Sequence, residues 1–175
     1  MTAAVPPPRD SGGNSAARIL VAGVGNVFLG DDGFGVEVAH RLSGLALPAG
    51  VRVADYGIRG MHLAYDTVDG DYDVMIMVDA VGLGDPPGTV SVIELEAGAP
   101  TGLDAHGMQP EAVLSLMGML GRLPGRILLV GCEPATLVQR MGLSPTVERA
   151  VGTAMEAVVD LIERERTCAW ESRER

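Results

Sequence analysis

Four residues of this chain have the type and setting to do chemistry. Asp31 and Asp32 stand side by side in the glycine-rich run GNVFLGDDGFG, Asp79 ends the apolar run VMIMVD, and His106 lies in the weakly patterned segment 96–108. Carboxylates and an imidazole from three separate loops make a donor set for a divalent first-row metal. Such an ion polarises a carbonyl or supplies a water-derived nucleophile, and a nearby carboxylate can act as general base. Each residue also has a plainer reading. The Asp31–Asp32 pair suits a turn or a helix N-cap. A strand-end aspartate such as Asp79 can simply accept backbone hydrogen bonds, although a buried one needs a partner or a cation. A lone loop histidine is more often a surface residue than a ligand. His40 and His62 fall within helical patterns and read as solvent-facing or packing residues.

Other chemistries are poorly served. Gly23 and Gly25 follow an apolar run, as in a dinucleotide fingerprint, but Phe28 stands where the third glycine of G-x-G-x-x-G belongs. Two acids in the same loop would repel a pyrophosphate. Neither a phosphate-binding P-loop motif nor a G-x-S-x-G nucleophile elbow occurs. The two cysteines, Cys132 and Cys168, form no C-x-x-C pair and no zinc spacing, which suits a reducing compartment. Cys132 reads as a small buried apolar residue. The net charge of −10 argues against a general nucleic-acid binder. No apolar run has the length of a membrane span and the N-terminus lacks a signal-peptide core, so a soluble cytoplasmic protein is expected.

The elements around these residues follow from patterning. With 175 residues, 47% of them hydrophobic, the chain can build one sizeable core; with only 3% aromatics, aliphatic side chains and methionine must fill it. Residues 1–16 are rich in Pro, Gly, Ser and Ala and read as a tail, 17–167 as a single α/β domain, and 168–175 as a second tail. Buried strands are expected at 18–25, 73–82 and 126–134, a further strand at 51–57, and an alternating strand at 89–95. Helices are expected at 36–45, 60–70, 111–123, and from Ser144-Pro145 to about Arg166, with a cap residue followed by proline at the first helical position. The alternation predicts a three-layer α-β-α sandwich with a mostly parallel, five-stranded sheet. A hairpin over 73–95 would set one antiparallel strand at an edge. In such a sheet ligands bind beyond the carboxyl ends of the strands, which is where the acid-bearing loops emerge.

The same residues carry a family resemblance. ILVAGVGNVFLGDDGFGVEVAHRL resembles the opening of the hydrogenase maturation protease family. DYGIRGMHL, VMIMVDAVGLGDPPGTV, AHGMQPEAVLSLM and VGCEPATLVQRMGLSPTVERAV resemble its later blocks in order, so the likeness spans about residues 18–165. The resemblance implies an endopeptidase that removes a C-terminal extension from the large-subunit precursor of NiFe hydrogenase after nickel has been inserted. By motif match it implies that Asp32, Asp79 and His106 contact that nickel and carry catalysis, with the metal supplied by the substrate. Asp31 is the neighbouring acid rather than a ligand. Many members have Glu where Asp32 stands, a carboxylate one methylene longer, and Arg59 is unusual in its loop. The resemblance further implies a monomer that meets its partner transiently. Two rivals stand beside it: a non-enzymatic chaperone that grips the precursor through the same residues, and a different hydrolase on a related scaffold, such as a two-metal aminopeptidase, for which the convergent carboxylates are too few.

Overall fold

A computed structural model describes residues 17–96, 110–120 and 123–171, with the side chains of 110–112 and 168–171 excepted. Its elements in chain order are β1 (Ile19–Val24), a 3-10 turn (Gly30–Gly33), α1 (Phe34–Leu42), β2 (Val51–Gly57), α2 (Gly60–Gly70), β3 (Val74–Ala80), β4 (Val90–Glu94), α3 (Pro110–Leu120), β5 (Arg126–Cys132) and α4 (Pro145–Glu171). The five strands form one sheet in the order β2-β1-β3-β5-β4, parallel except for β4 at one edge. The expected three-layer, mostly parallel architecture is what the chain adopts.

Continuous apolar runs become the inner strands because both of their faces are covered. Every residue of β1 and β3 is buried. Their side chains alternate between two cores. Ile19, Val21, Val74, Ile76 and Val78 pack with Phe34, Val38 and Leu42 of α1 and with Val147, Val151 and Val158 of α4. Leu20, Ala22, Met75 and Met77 pack with Leu63 and Ala64 of α2 and with Val113, Leu114 and Met117 of α3. Each such aliphatic side chain contributes about 1.5–3 kcal/mol on burial, so these two strands anchor the domain. Among the described residues no helix is long and apolar enough to cross a membrane.

Three sequence expectations shift. The segment between β1 and the helix expected at 36–45 contains the 3-10 turn, which winds directly into α1, so that helix starts at Phe34 instead of Val36. The last helix runs to Glu171, past Arg166, because neither proline nor glycine follows Gly152 to stop it. The antiparallel strand is at an edge, but β3 and β4 are not a hairpin: β5 lies between them, and β4 pairs with β5 from Val90↔Cys132 to Glu94↔Leu128. The connection after β3 passes over the end of β5 and is tied there. Glu133 accepts the backbone N–H groups of Leu83 (2.6 Å) and Asp85 (3.3 Å), and the Gly88 N–H donates to the Glu133 carbonyl (2.8 Å). The cap expected at Ser144 is present, its Oγ accepting the Val147 N–H at 3.4 Å.

Candidate active site

The strand order reverses between β1 and β3. From β1 the chain turns outward to β2; from β3 it turns the other way, toward β4 and β5. Loops leaving two adjacent parallel strands in opposite directions open a crevice at their carboxyl ends. Asp32 lies in the loop after β1 and Asp79 at the end of β3, so topology alone brings both acids to this crevice.

Both are almost fully covered, Asp32 1% and Asp79 3% exposed. The Asp32 Oδ2 accepts the Asn26 N–H at 2.8 Å, which fixes its carboxylate against the first residue of the loop beyond Gly25. The Asp79 Oδ1 accepts the Ala80 N–H at 2.8 Å. By the period-two alternation of a strand, Asp79 faces the same side of the sheet as Met75 and Met77, toward α2 and α3. Burial pushes the Asp79 carboxyl well above the usual aspartate range; the charge of Asp32 pushes it further the same way, and the Ala80 N–H opposes them. Two carboxylates in each other's field, at a place poor in water, are a setting that a cation would relieve.

Gly25 makes this approach possible. Its φ of +125° is strained for any L side chain, and a Cβ there would lie 1.8 Å from the Asp32 carbonyl oxygen and 3.6 Å from the Asp79 Oδ1. Gly35 serves packing: a Cβ would fall 1.9 Å from the Val78 carbonyl oxygen, where α1 meets β3. Gly25, one of the two glycines that suggested a nucleotide fingerprint, thus lets backbone and carboxylates come close.

Asp31 sits in the 3-10 turn, as its turn reading expects, but it has a further task. It is fully buried. Its Oδ2 accepts the N–H groups of Ala135 (2.9 Å) and Thr136 (3.0 Å), and its Oδ1 accepts that of Ser144 (2.6 Å). One carboxylate therefore clamps the loop after β1 to the loop between β5 and α4. Sequence reading missed this because the three donors lie more than a hundred residues away, and an acid beside an acid gives no sign of which one turns inward. Asp31→Ala leaves three buried or half-buried N–H groups without this acceptor, each of which costs about 1–3 kcal/mol where water cannot replace it. The expected outcome is an unfolding free energy lower by roughly 3 kcal/mol or more in urea titration, with Asp31→Asn less affected because it keeps one acceptor oxygen.

The remaining candidates separate cleanly. His106 lies outside the described residues. Among the described residues no three ligating side chains come together. His40 and His62 are exposed on α1 and α2, as expected. Cys132 is fully buried, and burial, with Asp31 and Glu133 nearby, pushes its thiol up to about 12. It stays protonated and serves as a core residue, not as a nucleophile. The Arg59 guanidinium folds back on its own loop, donating to the carbonyls of Tyr56 (3.1 Å) and Asp55 (2.8 Å).

Comparison with known proteins decides the family. The model of the hydrogenase maturation protease family matches residues 36–161. The chain belongs to the hydrogenase maturation protease family. It is 35% identical over 147 residues to the hydrogenase 2 maturation protease of Escherichia coli, covering 81% of this chain and 88% of that one. The crystallised hydrogenase 2 maturation peptidase of a Thaumarchaeota archaeon is 36% identical and superposes with a TM-score of 0.66 over 83% of this chain and 98% of that one. The hydrogenase maturating endopeptidase HybD of Escherichia coli superposes with a TM-score of 0.71 at 31% identity, over 84% and 93% of the two chains. As a hydrogenase maturation protease, the chain is a peptidase, and the crevice with its two buried acids is the candidate for its active site.

Proposed function

We propose that this protease removes the C-terminal extension of a NiFe hydrogenase large-subunit precursor once nickel has been inserted, and that Asp32, Asp79 and His106 read that nickel. The observation that carries this reading is the buried Asp32–Asp79 pair. The influences on Asp79 are burial, the Asp32 charge and one backbone N–H, so no cationic group among the described residues offsets the charge of Asp79. A divalent ion arriving on the substrate would do so, and would make recognition depend on its presence. Carboxylate and imidazole donors suit nickel, although they do not select it by themselves.

What supports His106 as the third donor is the course of the chain. α3 ends at Leu120, shortly before β5 begins at Arg126 at the foot of the sheet. A helix feeding a parallel strand starts from the carboxyl side, and His106 precedes the start of α3 at Pro110 by only four positions. In the proposed reaction the carboxylates hold the nickel-bearing end of the precursor so that the scissile peptide lies in the crevice. The substrate's nickel supplies Lewis-acid polarisation or an acidified water. One of the two aspartates takes the proton of the attacking water as general base.

Mass spectrometry of purified precursor, incubated with the protease with and without nickel, tests the reading. Shortening of the nickel-loaded precursor only is expected, and His106→Ala should slow it by at least about a hundredfold while leaving the melting temperature unchanged. Equal shortening of nickel-free precursor would remove metal recognition from the scheme, and binding without any mass change would make the chain a chaperone.

A further inference from the structure

Four of the ten large apolar side chains exposed among the described residues share one part of the surface. Val27 (36% exposed), Phe28 (60%), Val138 (58%) and Met141 (70%) lie on two loops, one after β1 and one after β5. The loops are pinned to each other. Leu29 and Arg140 form a parallel bridge, the Arg140 N–H donates to the Phe28 carbonyl (3.0 Å), the Gly30 N–H to the Arg140 carbonyl (2.9 Å), and the Asp31 N–H to the Thr136 carbonyl (3.1 Å). The Asp31 carboxylate clamps them from beneath. Against this platform opens a pocket of about 370 Å³ with Val27, Val36, Met141 and Leu143 in its wall and Glu37 and Glu148 beside them. Arg41 bonds to both of these glutamates.

We infer that this platform is a docking surface for the protein substrate, seating an apolar side chain of the folded hydrogenase precursor in the pocket, with a basic residue of the precursor beside it facing Glu37 and Glu148. The inference rests on the function proposed above. Three observations carry it. First, the platform is built on Asp32's own loop, and a carboxylate only 1% exposed can be reached only by a chain that also covers the rim around it. Second, the backbone that carries these apolar side chains is tied between the two loops, so binding there costs less backbone entropy than on a free loop. Third, the pocket edge carries two acids against one arginine on a chain of net charge −10, which favours a basic flank on the partner.

The test uses the full chain and the full-length nickel-loaded precursor. Phe28→Ser and Met141→Glu alter side chains that are already solvent-exposed, so the fold is retained, and thermal melts verify it. In a non-cleaving Asp79→Ala background each should weaken precursor binding by at least about tenfold, measured by interferometry. In the otherwise wild-type enzyme each should raise KM with kcat nearly unchanged. Met119→Glu, at a position 84% exposed on α3, should leave both untouched. Unchanged affinity and KM in Phe28→Ser and Met141→Glu overturn the inference. So does a wild-type dimer in sedimentation that Met141→Glu dissociates, because a second copy then occupies the platform. Failure of the functional reading looks different: platform-dependent binding by wild type with no shortening of the precursor.

Discussion

Asp79→Asn is expected to abolish processing of the precursor while raising the melting temperature of the metal-free protein. Without metal, Asp79 sits buried beside another carboxylate, with its affinity for protons raised first by desolvation and then by the Asp32 charge. A carboxyl whose folded pKa exceeds its unfolded one binds more protons in the folded state. Its contribution to stability is therefore present below the unfolded pKa and is lost as pH rises toward the folded one. Near neutral pH the wild-type fold bears that loss. Asparagine keeps the Oδ1 that accepts the Ala80 N–H, fits the same space, and carries no charge against Asp32. Every tenfold difference in proton affinity between the folded and unfolded chain corresponds to about 1.4 kcal/mol. For a domain of this size 1 kcal/mol moves the melting temperature by about 2–4 °C. Calorimetry of metal-free wild type and variant across pH should show the gain growing as pH rises above the ordinary aspartate range. In the proposed reaction the same change removes an anionic donor to the substrate's nickel, and cleavage should then fall by about a thousandfold or more. A variant that melts lower than wild type and still processes precursor would refute both the strain and the role assigned to Asp79. The combination expected here, a more stable and inactive protein, is the trade-off of a functional site that carries buried charge.

What the sequence disclosed depended on whether the governing interaction was local. The β3 run was legible because seven consecutive buried positions leave an unbroken apolar string, and Asp79 stood out as the polar residue that interrupts it. The α2 span and the Ser144 cap were legible because turn and capping signals lie within a few residues of what they control. The partner of β4 was not, since the pairing that places it joins Val90 to Cys132, and a short strand after a Pro-Gly turn carries no mark of which neighbour it will choose. Asp31 and Asp32 are the sharpest case. Composition cannot separate two adjacent aspartates; the 3-10 turn does, directing Asp31 to donors at 135, 136 and 144 and Asp32 to the Asn26 N–H. The family resemblance assigned the functional role to Asp32, and the clamp made by Asp31 is compatible with that assignment because it commits Asp31's oxygens elsewhere. For His106, which lies outside the described residues, the guides are the resemblance and its closeness in sequence to the start of α3.

Gly25→Ala should be the most disruptive single-methyl change at the site. The added carbon would overlap the Asp32 carbonyl oxygen at 1.8 Å, a contact with backbone and not with a flexible side-chain end, so the loop itself must move. The residue also holds φ at +125°, where an L side chain costs roughly 1–3 kcal/mol before any clash. Moving the loop pulls Asp32 from the Asn26 N–H and alters its distance to Asp79. Processing should drop by more than about a hundredfold, because misplacing a group by about 1 Å is enough for that, and unfolding should become easier by roughly 3 kcal/mol or more. Gly84→Ala supplies the comparison that isolates the cause. Gly84 also has a positive φ, +80°, but a Cβ there meets nothing within 4 Å. It should carry only the conformational cost of about 1–3 kcal/mol and cleave precursor at the wild-type rate. If the two variants behave alike, backbone strain alone explains Gly25. If Gly25→Ala loses cleavage far beyond Gly84→Ala at matched stability, then the missing side chain at Gly25 is what lets two buried acids share one crevice.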